Sequence, residues 1–80
     1  MQTSQLPALI VEVLMALRLH CAAHQGQLPA EIRANSASFK EILETANRQD
    51  LIKRATGWTL FGVPLIEDAA EMYRFRLLDA

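Results

Sequence analysis

The chain has one cysteine, three prolines, three glycines and few aromatic residues, and its charges nearly cancel at a net −1 over 80 residues. Each shortage excludes something. A lone Cys21 rules out an intrachain disulfide and fits a reducing compartment. Balanced charge with no like-charge block gives no electrostatic footprint for nucleic acid or for an anionic membrane surface. Residues 6–23 are largely apolar, but Glu12, Arg18 and His20 interrupt them. A spanning helix needs about 20 residues with few or no charges. Residues 1–5 carry no basic group, as a signal peptide would require. The expectation is a soluble cytoplasmic protein with no membrane or nucleic-acid partner. No glycine-rich phosphate loop, internal repeat or low-complexity tract occurs.

What is present suits one small domain over 1–80, since this length supports one hydrophobic core. Without covalent staples such a domain often leans on a partner chain. Ser4 can cap a first helix, with Pro7 in its first turn and Gly26 ending it. At helical spacing two apolar stripes emerge. Leu6, Ile10, Val13, Leu14, Leu17 and Cys21 make the first; Ala8, Val11, Met15, Leu19 and Ala22 make the second, with Arg18 between them. A helix lying on one sheet needs one stripe. The second is most simply buried against another copy or a partner, the alternative being a fold that wraps the helix on two sides.

Residues 30–34 suggest a short strand with Ile32 inward. Ser38 and Glu41 match a capping box opening a second helix that buries Phe39, Ile42, Leu43 and Ala46. Leu51 to Arg54 fit either a last helical turn or a short edge strand. The aromatic mass then gathers in residues 57–67 and 72–78. Tyr73, Phe75 and Leu77 alternate with Arg74 and Arg76, as in a strand with one buried face. With Asp68 to Glu71 as a four-residue loop, the two segments predict a β-hairpin. Strict alternation makes both faces of 57–67 apolar, so a bulge near Gly62 is expected to switch phase. Trp58, Leu60, Val63 and Leu65 would then share the core face, leaving Phe61 outward for a partner. The predicted architecture is α+β in the order α-β-α-β-β, with two helices on one face of a small antiparallel sheet.

Candidate chemistry is sparse. His20 and His24, four apart, share a helix face and could give two zinc positions, but no third ligand converges with them in the sequence. Cys21 lies in the apolar stripe and reads as a small hydrophobe. Glu67, Asp68 and Glu71 could do acid–base work but read as turn solvation; Arg74 and Arg76 make a two-residue basic stripe, with Arg33 beside it on the outer face, that can meet phosphate but more commonly pairs across strands with Glu31 or Glu67. The expectation is no enzyme, no catalytic residue, no resident metal or cofactor and no small-molecule substrate.

Residues 29–78 carry Glu31-Ile32-Arg33-Ala34-Asn35, the helix from Ser36 to Leu43, and Thr59-Leu60-Phe61-Gly62-Val63-Pro64-Leu65-Ile66-Glu67-Asp68. This resembles a segment common in tailed-phage major capsid proteins and related small phage proteins, in which a leucine–aromatic–glycine–aliphatic–proline–aliphatic strand follows a short strand and helix. The chain has no room for an extended loop, spine helix and central domain, so a complete shell subunit is not expected. The resemblance implies phage or prophage origin and a non-enzymatic, protein-binding role. A homo-oligomeric structural or accessory protein is the first expectation, with Val11, Met15, Leu19, Ala22 and Phe61 as candidate interface residues. An inhibitor or regulator of a host protein complex is the alternative.

Overall fold

The computed structural model describes residues 7–79. Seven elements follow in order: α1 (Ala8–Ala23), β1 (Glu31–Ala34), α2 (Ser36–Thr45), β2 (Leu51–Arg54), β3 (Gly57–Leu60), β4 (Val63–Glu67) and β5 (Phe75–Leu78). The α+β class holds, and both helices pack on one face of a five-stranded sheet ordered β2-β3-β4-β1-β5. Among the described residues no helix is long and apolar enough to cross a membrane.

The sheet is mixed where an antiparallel one was expected. β1 runs parallel to β4 and antiparallel to β5, and so occupies the place between the two segments predicted to form a hairpin. Parallel neighbours need a long crossover; here it contains α2 and the β2–β3 pair. The physical reason lies in β1. Its inward residues Ile32 and Ala34 are fully buried, which a strand in mid-sheet achieves by pairing on both edges. Ile32 stands beside Leu65 on one side and Leu77 on the other. The connection from β4 to β5 therefore has to pass over the end of β1. Asp68 opens it by donating its amide to the Ala34 carbonyl at 2.8 Å. The Asn35 side chain closes it by donating to the Tyr73 carbonyl at 3.0 Å. Tyr73 belongs to this connection, 67% exposed, and is not the core residue that alternation suggested.

The phase switch near Gly62 exists, but a turn makes it where a bulge was expected. Leu51–Arg54 is the edge strand β2, and β3 pairs with it on one side and with β4 on the other. Leu60 faces Val63, so Phe61 and Gly62 alone connect two antiparallel strands. Both have positive φ, +52° and +81°, as a type I′ hairpin turn requires. Trp58 then pairs with Leu65 and Leu60 with Val63, and this inward set joins Phe75 and Leu77 around the core. Phe61 is not left outward: its ring is half-buried against that core.

α1 buries Leu9, Ile10, Val13 and Leu17. Leu9 belongs to neither expected stripe, whereas Leu14 and Cys21 of the first are half-buried; Ser4 and Leu6 lie outside the described residues. The helix ends where Gln25 and Gly26 turn left-handed, and the Gly26 amide returns to the Cys21 carbonyl at 2.7 Å. α2 is capped by Asn35, whose side-chain oxygen accepts from the Ser38 amide at 2.8 Å. The expected cap, Ser38, lies inside the helix and is buried. Asn35 wins because the same side chain also holds the incoming β5 segment, a contact that position 38 does not make.

Candidate functional site

Two regions gather what the sequence singled out: the outward face of α1, and the C-terminal end of that helix.

A helix apolar around its whole circumference is a helix made to be covered. All of α1 except Glu12, Arg18 and His20 is apolar, yet the core covers one side of it. At 100° per residue the stripe of Ala8, Val11, Met15, Leu19 and Ala22 lies opposite Leu9, Ile10, Val13 and Leu17. Its exposure follows from that placement: Met15 is 57% and Leu19 71% exposed, Ala8 and Ala22 are exposed, and Val11 is half-buried. Among the described residues nothing wraps the helix on its second side. Beside the stripe lies an open apolar groove lined by Leu14, Leu17, Arg18, Cys21, Leu28 and Phe61. Leu28, exposed in the turn that follows α1, forms one wall, and Phe61 of the β3–β4 turn forms another. Four of the five candidate interface residues thus share the helix face, and Phe61 stands apart at the groove as a packed residue. Leu28 was missed, since an isolated leucine in a turn has no periodicity to mark it.

At the end of α1 the rings of His20 and His24 stack with centroids 3.9 Å apart and 12° between planes. The sequence brings these two together; the tertiary structure adds Asp79, just past β5. Its Oδ1 is 3.2 Å from His20 Nε2 and its Oδ2 3.8 Å from His24 Nε2. The other nitrogen of His24, Nδ1, donates to the His20 carbonyl at 2.8 Å. Cys21 does not join this cluster and lines the groove instead.

The remaining candidates are structural. Arg33 donates to Glu31 at 2.8 and 3.0 Å and lies 3.6 Å from Asp68. Arg76 donates to Glu71 at 2.8 Å. Arg74 leaves the outer face altogether and reaches Glu12 of α1 at 2.9 Å. Arg33 does stand beside Arg76 across the β1–β5 pair, but Arg74 lies before β5 begins and each of the three already faces a carboxylate. Glu71 does more than solvate a turn, because its side chain is 3% exposed. Enclosure alone would raise its pKa; the bond from Arg76, the Tyr73 amide and the Arg76 charge outweigh that and hold the carboxyl below its ordinary value. With one oxygen accepting from Arg76 Nε and the other from the Tyr73 amide, this carboxylate braces the β4–β5 connection.

The chain has no match among protein-family models, curated proteins or solved structures.

Proposed function

We propose that this is a small non-enzymatic protein of phage or prophage type, structural or accessory in role, that acts through protein–protein contacts and self-associates through the outward face of α1. The observation that carries the reading is the exposure of Met15 and Leu19 on the side of α1 opposite the core. Contiguous apolar surface on a helix face marks an interaction site in a soluble fold. A helix face that repeats along its own length can pair with its own copy about a two-fold axis, the commonest closed symmetry for identical chains. Glu12 and Arg18 flank the stripe on opposite sides and form its polar rim. The likeness of residues 29–78 to the phage capsid segment supports the origin and the binding role. The pairing of Arg33, Arg74 and Arg76 with Glu31, Asp68, Glu12 and Glu71 supports a role without chemistry.

Sedimentation velocity tests the reading. The purified chain is expected to dimerise at micromolar concentration, and Leu19→Glu or Met15→Glu to return it to monomer with an unchanged circular dichroism spectrum. A central apolar anchor of this kind is worth about 2 kcal/mol or more of association. A monomer persisting at high micromolar concentration sinks the proposal, as does undiminished association in both glutamate variants.

A further inference from the structure

The geometry points to a binding site for a first-row divalent transition-metal cation of the zinc type, formed by His20, His24 and Asp79, which fastens the end of α1 to the end of β5. Three observations carry it. The first is convergence. One ligand atom from each residue lies within 4.8 Å of the other two, and the two Nε2 atoms stand 3.2 and 3.8 Å from the Asp79 carboxylate oxygens. Around an ion held at about 2.0–2.2 Å, tetrahedral ligand atoms are about 3.4 Å apart. The rings, now stacked with 12° between their planes, have to splay so that both Nε2 lone pairs aim at one ion; Asp79, 63% exposed, is free to follow.

The second observation fixes the donor atom. The His20 carbonyl can only accept, so His24 Nδ1 carries the proton in that 2.8 Å bond. The neutral ring therefore holds its lone pair on Nε2, the atom turned toward Asp79. A backbone carbonyl bonded to the far nitrogen is the usual way a ligating imidazole is oriented. The third is chemistry and access. Two imidazoles and one carboxylate suit zinc, copper, nickel or iron; magnesium and calcium prefer oxygen ligands. His24 and Asp79 open to solvent, with side chains 45% and 63% exposed, so an ion can enter and complete its shell with water. His20, whose side chain is 11% exposed, anchors the site from the protein side.

The bare alternative is an ion pair between Asp79 and protonated histidines at a helix C-terminus, where cations are favoured. The bound ion would link α1, which precedes the sheet, to the last strand. That is the cross-link that a small domain without disulfides lacks.

The test titrates zinc chloride into chelator-treated full-length protein by calorimetry, with the imidazole nitrogens followed by NMR. One ion per chain is expected, with the Nε2 resonances of both histidines shifting together and thermal unfolding moving to higher temperature in zinc. Asp79→Asn and His24→Gln, both at exposed positions, should each weaken binding by about tenfold or more, while Cys21→Ser and the substitution of magnesium for zinc separate this donor set from others. The proposal is overturned by no saturable binding below millimolar zinc, Asp79→Asn binding as tightly as the parent, loss of binding in Cys21→Ser, or one ion per two chains. Equal binding of magnesium and zinc would also overturn it.

Discussion

Replacing Gly62 by valine isolates the device that puts the inward side chains of β3 and β4 on one face. Leu60 pairs with Val63, so two residues make the turn, and the second of them sits at φ +81°. An L residue held left-handed costs about 1–2 kcal/mol, because its Cβ crowds the backbone carbonyl. A β-branched residue belongs at the top of that range. Sterics add nothing from elsewhere, since a Cβ at position 62 would meet no heavy atom within 4 Å. The whole effect is therefore backbone strain. We expect a graded series, with Asn least costly because it tolerates the left-handed region, Ala intermediate, and Val at about 2 kcal/mol. In a domain of this size that lowers the melting temperature by about 8–16 °C. Urea denaturation with an unchanged m-value would place the loss in the folded state. If valine and asparagine at position 62 lie within about 0.5 kcal/mol of each other, the turn does not hold its left-handed pair and the argument for the phase switch fails.

Asn35→Ala should destabilise the fold by about 1–2 kcal/mol, more than an ordinary cap, because it removes both the α2 cap and the bond to the Tyr73 carbonyl; chemical denaturation reads this. Ile32→Ala, at a fully buried position between Leu65 and Leu77, should cost about 2–5 kcal/mol and leave little folded protein by circular dichroism. Phe61→Ser should lower stability as well as any association, because the ring packs on the core; a variant as stable as the parent would make Phe61 a pure surface residue. The Glu71 carboxyl is held below its ordinary value when folded, so its contribution is complete above that value and is lost as pH falls through the lower, folded one. Glu71→Gln should flatten that part of the acid-unfolding profile, and an unchanged profile would contradict the lowered value.

The sequence by itself determined the local elements and their faces. The apolar run of α1 and its end at Gly26, the alternation of Phe75 and Leu77, the inward Ile32, and the inward set of Trp58, Leu60, Val63 and Leu65 are all readable from spacing. Spacing marks the apolar faces of an element, and it marks two on α1, so the outward stripe was legible as apolar although only the structure shows that it is exposed. Spacing does not record which strand lies beside which. β1 is four residues long and carries two charged outward residues, so nothing local marks it as the strand that separates β4 from β5; that choice belongs to the pairing of both its edges. The same limit explains the other differences. Tyr73 continues the alternation of β5 but stands in a connection stretched across β1. Asn35 outcompetes Ser38 as a cap because its side chain also meets residue 73, which is distant along the chain. Asp79 reaches His20 and His24 only because β5 pairs antiparallel to β1 and brings the far end of the chain to the end of α1. Contacts between residues so far apart depend on closing the chain around one core, and no periodicity within a single element encodes that closure.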